Sequence, residues 1–270
     1  MTDSSDDIQL EALRVLEALK PRRRARPRLA EPLREARDQA VHTPFGPVMA
    51  WRLDPWGSSG TAPATLLVHG WEDDNALWGP MIEALIEAGR PVVAFDLPGH
   101  GFSPAEDCST NRASAAIRAV AEAMGPVDSL IAHSFGCPAA TLAMSEGLRI
   151  GRAVLIATPM PSETSFERHW TRAQARLEVS DAAIARAKAI AFARDVAVPT
   201  FDYPTLAAGM TAKGLFIHSI DDEECPPENS RIIADAWPGA GLSWVDGLGH
   251  RLLVQDAATI ALAAGFVEGR

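Results

Sequence analysis

Residues 129–137 read Ser129-Leu130-Ile131-Ala132-His133-Ser134-Phe135-Gly136-Cys137. The apolar run that ends at Ala132 predicts a buried strand, and Pro138 to Met144 predicts a helix with proline in its first turn. Ser134 falls at the apex of the sharp turn between them. Such a turn holds the serine in a strained backbone conformation and lifts its hydroxyl clear of the sheet. Bulky side chains two residues to either side would strike the neighbouring strand and helix, and Ala132 and Gly136 are small enough to avoid this. The helix that starts beneath the serine points backbone N–H groups and a partial positive charge toward it, a setting that favours an anion.

The strand-helix rhythm extends in both directions. Thr65 to Val68, Pro91 to Phe95, Ala153 to Ala157, Gly214 to His218 and Leu242 to Val245 are apolar runs with little polar alternation. Helical segments are expected between them, near 75–87, 112–124 and 228–237, with a last one at 256–267. Strands of this kind, separated by helices, predict an α/β fold: a mostly parallel central sheet with helices on both faces. Val41 to Leu53 reads as a hairpin with its turn at Phe45-Gly46, forming the antiparallel edge.

From Thr158 to Leu206 the rhythm changes. Two helices, 165–178 and 181–194, carry Phe166, Trp170, Ile184, Ile190 and Phe192 with no strand between them. This predicts a helical cap inserted over the C-terminal edge of the sheet. Residues 5–20 form an amphipathic helix with Ile8, Ala12, Val15 and Leu19 at helical spacing, and Ser4 with Asp7 could cap it. It is expected to pack on the main domain or on a second subunit, which would make a homodimer. The basic run from Lys20 to Arg28 lacks interleaved aromatics and reads as a solvated linker. The expected organisation is an N-terminal extension at 1–40, a core at 41–158 and 207–270, and a cap at 159–206.

The chain has 270 residues, 47% of them hydrophobic and 22% charged, which suffices for a large soluble core. A formal net charge of −10 repels phosphate backbones, so nucleic acid and anionic membrane are not expected partners. No apolar run reaches the length of about 18 residues that a membrane span needs. The acidic N-terminus lacks the apolar stretch of a secretory signal. Cys108, Cys137 and Cys225 are odd in number and widely spaced, which suggests free thiols and a cytoplasmic location. His69, His100, His133 and His218 show no metal-ligand spacing, and no phosphate-binding glycine loop is present. A small-molecule substrate with no metal and no cofactor is expected.

Two further polar segments follow strand ends. Ser219-Ile220-Asp221-Asp222-Glu223-Glu224-Cys225-Pro226 comes after the Leu215 strand, and Asp246-Gly247-Leu248-Gly249-His250-Arg251 after the Trp244 strand. Open α/β sheets place their chemistry at this edge. A serine hydroxyl becomes a nucleophile when an imidazole takes its proton, and the imidazole needs a carboxylate to fix its tautomer.

On the Ala132-His133-Ser134-Phe135-Gly136 turn and the order serine, acid, histidine, the chain resembles the α/β-hydrolase superfamily over about residues 41–270. Its usual G-x-S-x-G begins here with Ala132. The resemblance implies an α/β-hydrolase fold with Ser134 as nucleophile and His250, in its Gly249-His250 pair, as base. It implies Asp222 as the acid, since the family's acid commonly lies four residues before a proline, here Pro226. It implies an oxyanion hole from the backbone N–H groups of Phe135 and of Trp71, which follows His69-Gly70. Asp96-Leu97-Pro98-Gly99-His100-Gly101 is also frequent in the family and reads as structural. The activity implied is hydrolysis of a small to medium carboxylic ester, with thioesterase, amidase, C–C bond hydrolase and a non-catalytic ligand-binding role left open. Epoxide hydrolases and haloalkane dehalogenases place an aspartate where Ser134 stands. Trp71, Trp78 and Trp170 are expected to wall a substrate pocket beneath the cap, though the aromatic residues of the cap could instead serve as packing anchors.

Overall fold

A computed structural model describes residues 5–23, 26–57, 60–104, 107–160, 163–194 and 202–270. Ser4 and Phe201 lie outside the described residues, as does the side chain of Phe166. The elements, in chain order, are α1 (Ser5–Ala18), β1 (Arg37–Thr43), β2 (Gly46–Leu53), β3 (Ala64–Val68), α2 (Gly79–Glu87), β4 (Val92–Phe95) and α3 (Thr110–Ala123). Then come β5 (Val127–His133), α4 (Gly136–Ser145), β6 (Arg152–Ile156), α5 (Glu163–Leu177), α6 (Asp181–Ala193) and α7 (Tyr203–Ala208). The chain ends with β7 (Lys213–Ser219), α8 (Glu228–Ala236), β8 (Gly241–Val245) and α9 (Ala257–Glu268).

The strands form one 8-stranded sheet in the order β1-β2-β4-β3-β5-β6-β7-β8. The β1-β2 and β2-β4 pairs are antiparallel and the other pairs are parallel. The hairpin closes between Thr43 and Gly46, so its turn is Pro44-Phe45, one residue earlier than expected. Thr43 sets this register by bonding the Phe45 amide and the Gly46 carbonyl through its hydroxyl.

Continuous apolar strands are needed because both faces of the sheet are covered. Along β5, Leu130 and Ala132 face the core under α3, α4, α7 and α8, while Ile131 faces the core under α2 and α9. Neighbouring strands alternate the same way: Leu66 and Phe216 join the first core, Leu67 and Ile217 the second. The helices take their limits from local chemistry. Ser109 caps α3 by accepting from the Arg112 amide, and Asp256 caps α9 by accepting from the Thr259 amide.

A third, smaller core lies in the insertion. Trp170, Ala173, Val179, Ala183, Ile184 and Ala187 of α5, α6 and their connection pack against Ala12 and Val15 of α1. The N-terminal helix therefore docks on α5 and α6. Glu11 fixes that docking by accepting from the amide and hydroxyl of Ser180 at the start of α6. The segment after α1 is tied down as well, where a solvated linker was expected. Arg23 donates to the carbonyls of Gly99, at 2.8 Å, and Ser103. At its far end the Ala30 amide donates to Asn75. Of the expected cap, residues 203–206 belong to α7, which lies with the main core: Tyr203 is buried there and its hydroxyl meets Thr141 of α4.

Trp170 is 2% exposed at the centre of the α1–α5–α6 contact, so it is a packing anchor and not a pocket wall. Trp170→Ala is expected to cost about 3 kcal/mol or more of stability, read as a lowered melting temperature.

Candidate active site

Ser134 sits between β5 and α4 with φ +49°, a left-handed conformation that a non-glycine residue adopts at a cost. Its amide is held by the Ile156 carbonyl at 2.9 Å. The turn is crowded as the small flanking residues predict. A Cβ on Gly136 would stand 2.6 Å from the Val68 carbonyl oxygen and 2.7 Å from that of His69. A Cβ on Gly70 would stand 3.0 Å from Cβ of Ser134. Glycine at 136 is required for the end of β3 to lie directly against the serine turn, and Gly70 keeps that contact free of crowding.

The loops after β7 and β8 bring the other two residues to the same edge. Ser134 Oγ lies 2.9 Å from His250 Nε2, and His250 Nδ1 lies 2.7 Å from Asp222 Oδ2. Asp221 is turned elsewhere: it accepts from the Ser219 hydroxyl and, at 3.2 Å, from the Gly249 amide. Asp222 Oδ1 accepts from the amides of Glu224 at 2.9 Å and Cys225 at 2.8 Å. Burial alone would raise the Asp222 carboxyl. The hydrogen bonds from His218, His250 and the Cys225 amide outweigh it and hold the group well below the usual carboxylate range. An ionised Asp222 requires its partner nitrogen on His250 to carry a proton, which leaves Nε2 of the neutral ring free to accept one from Ser134.

Phe135 follows the serine directly at the start of α4, and Trp71 lies three residues past the end of β3. The Trp71 indole stands edge-on to the Phe135 ring, with centroids 5.2 Å apart, and to His100 at 5.3 Å. Both Trp71 and Phe135 are half-buried at the rim of the first core. Trp78 is placed differently from expectation. It is fully buried on the opposite face of the sheet, in the core with Met81, Leu67 and Leu253, and cannot wall a pocket at Ser134. Of the three tryptophans expected at the pocket, Trp71 alone stands beside the serine turn.

Two histidines with no role assigned from the sequence also join the site. His133 Nε2 lies 3.0 Å from the His250 carbonyl oxygen and so donates to it, tying β5 to the loop after β8. His218 Nε2 lies 3.1 Å from Asp222 Oδ2. Their position in strands that lead to the site was visible in sequence; their contacts with loops more than a hundred residues away, in the case of His133, were not.

Burial keeps His133 and His100 neutral. Desolvation, then the nearby His250, depresses His133 from 6.5 to about 3; desolvation depresses His100 to about 4. Their folded values lie below the unfolded ones, so the unfolded chain binds these protons first and stability is lost as pH falls. Asp96, raised by burial to about 6, works in the opposite sense and offsets part of the loss. The denaturant midpoint is expected to fall between about pH 6.5 and pH 4. His133→Gln should flatten that fall, as measured by urea unfolding across the range.

A sequence model of the alpha/beta hydrolase family matches residues 65–264. Among curated proteins, the pimeloyl-[acyl-carrier protein] methyl ester esterase of Vibrio parahaemolyticus is 44% identical over 48 residues, which is 18% of this chain and 18% of that protein. Among solved structures, an esterase of Pyrococcus furiosus superposes with a TM-score of 0.69 at 16% identity, covering 93% of this chain and 98% of the other. The enol-lactonase of Burkholderia xenovorans superposes with a TM-score of 0.66 at 19% identity, covering 86% and 100%. At these identities the two structures speak for the fold. Among the described residues, no helix is long and apolar enough to cross a membrane.

Proposed function

The chain belongs to the α/β-hydrolase family, and from that premise we propose that it is a serine hydrolase cleaving a small to medium carboxylic ester through an acyl-enzyme. The observation that carries this reading is the unbroken relay Ser134 Oγ–His250 Nε2, 2.9 Å, and His250 Nδ1–Asp222 Oδ2, 2.7 Å. In it, His250 takes the Ser134 proton as Oγ attacks the ester carbonyl, and Asp222 steadies the imidazolium that forms. The carbonyl oxygen becomes an oxyanion held by the amides of Trp71 and Phe135. Collapse of the tetrahedral adduct breaks the bond to the alkoxide, which leaves with the proton from His250. Water, deprotonated by the same ring, then releases the acid and restores Ser134. The hydroxyl, imidazole and carboxylate suffice for these steps, so the reading calls for no metal and no cofactor.

The short segment shared with a methyl ester esterase supports an oxygen ester over a thioester or amide. The rim formed by Trp71 and Phe135 fits an apolar acyl or alcohol group. Three free cysteines, two of them buried, suit a reducing compartment and thus the cytoplasm. The test is turnover on matched p-nitrophenyl esters, a thioester and an anilide of the same acyl group. The ester should give the highest kcat/KM. Turnover confined to the thioester or the anilide would move the assignment to that bond.

A further inference from the structure

We propose that His218 is a positioning residue for the Asp222–His250 pair, its Nε2 proton set by two acceptor oxygens and holding the Asp222 carboxylate in the one orientation that serves His250. This rests on the serine-hydrolase reading above and extends it by one residue that does not touch the substrate.

His218 lies near the end of β7 and is fully buried. Its Nε2 faces two oxygens that can only accept: Asp222 Oδ2 at 3.1 Å and the Cys225 carbonyl at 3.1 Å. A lone pair there would oppose both, so Nε2 carries the proton. In the neutral ring Nδ1 is then an acceptor, and the Ser230 hydroxyl, 2.5 Å away on α8, donates to it. The tautomer is thus set by the two acceptors of the acid loop, Asp222 Oδ2 and the Cys225 carbonyl, and the Ser230 hydroxyl complements it by donating to Nδ1. The Trp244 indole of β8 leans toward the ring, with centroids 6.4 Å apart.

The consequence falls on Asp222. Its Oδ2 receives N–H groups from His218 and His250, and its Oδ1 receives the amides of Glu224 and Cys225. Four donors fill the four lone-pair positions of the carboxylate. Rotation about its last bond would break all four contacts. Without His218, Oδ2 would be held by His250 alone, leaving the Glu224 and Cys225 amides on Oδ1 as the other restraint on the carboxylate's rotation. Misplacement of the carboxylate slows reaction without weakening substrate binding, because Asp222 lies behind the imidazole and away from the ester.

The test uses the full-length chain and its His218→Leu, His218→Gln, Ser230→Ala and Ser134→Ala variants. Two quantities are measured: the rate at which a fluorophosphonate labels Ser134, and kcat and KM for p-nitrophenyl acetate. His218→Leu should label about 10- to 100-fold more slowly than the wild type, with KM changed by less than about twofold. His218→Gln should recover most of the rate, since its amide can donate to Asp222 and accept from Ser230. Ser230→Ala should label close to the wild-type rate, because the two acceptors on Nε2 still hold the proton there. A His218→Leu protein that labels at the wild-type rate would overturn the proposal and leave the hydrolase reading intact. Wild-type protein that is not labelled at Ser134 would overturn both. Should His218→Leu not fold, His218→Phe decides, since it too removes the N–H: a slowed rate supports the proposal, and an unchanged rate overturns it.

Discussion

Ser134→Ala is expected to lower ester turnover by about 10³-fold or more and to leave the protein folded. In the proposed mechanism the hydroxyl forms the covalent bond to the acyl group, and no other group at the turn can replace it. Its removal strands no essential structural contact. The backbone bond from the Ser134 amide to the Ile156 carbonyl remains, and His250 keeps Asp222 and the donation from His133 to its carbonyl. A companion variant separates chemistry from strain. Glycine tolerates φ +49° without the penalty that serine bears, so Ser134→Gly should be equally inactive but more stable than Ser134→Ala, by about 1 kcal/mol. Parallel measurement of p-nitrophenyl acetate hydrolysis and thermal unfolding checks both. Near-wild-type hydrolysis by the alanine variant would remove Ser134 from the mechanism.

Asp222→Asn carries the second large effect. Each carboxylate oxygen of Asp222 faces two N–H donors. An asparagine must turn its NH₂ toward one of these pairs, and either orientation sets donors against donors. If the NH₂ faces the histidines, His250 must move its proton to Nε2 and can no longer accept from Ser134. If it faces the amides of Glu224 and Cys225, the acid loop must open. The expected loss in kcat is about 10³- to 10⁴-fold, accompanied by a drop in melting temperature. Asp221→Asn is the control. Asp221 is exposed and serves the Ser219 hydroxyl and the Gly249 amide, so its loss should cost less than tenfold, roughly the scale of a surface hydrogen bond. A reversal of the two effects would make Asp221 the functional acid.

Much of this arrangement was legible in the chain because it depends on local signals. An apolar run without alternation marks a strand covered on both faces, and polar residues placed just past such runs must gather at one edge of a parallel sheet. Ser134, Asp222 and His250 follow from that geometry together with the family's spacing to Pro226. The small residue at Gly136 carries the same kind of information, since the close approach of the Val68 and His69 carbonyls leaves room for nothing larger. Other features depended on which surface an element meets, and periodicity does not encode a partner. The apolar stripe through Ala12 and Val15 shows that α1 packs, while its docking on α5 and α6 is decided by complementarity with Trp170 and Ala187 and by Glu11 at Ser180. Trp78 and Trp170 were expected near the substrate because they lie close in sequence to the site or in the cap. Helix rotation turned both into buried cores. His218 sits four residues before Asp222, a spacing that looks incidental until the loop after β7 folds the carboxylate back onto the ring.

The measurement that bears most directly on the central claim is mass spectrometry of the intact protein, and of its peptides, after exposure to a fluorophosphonate. A single adduct on the peptide containing Ser134 is predicted, absent in Ser134→Ala and formed far more slowly in Asp222→Asn. Failure of the wild type to form that adduct, or an adduct at another residue with ester turnover abolished alongside it, would contradict the assignment of Ser134 as the nucleophile.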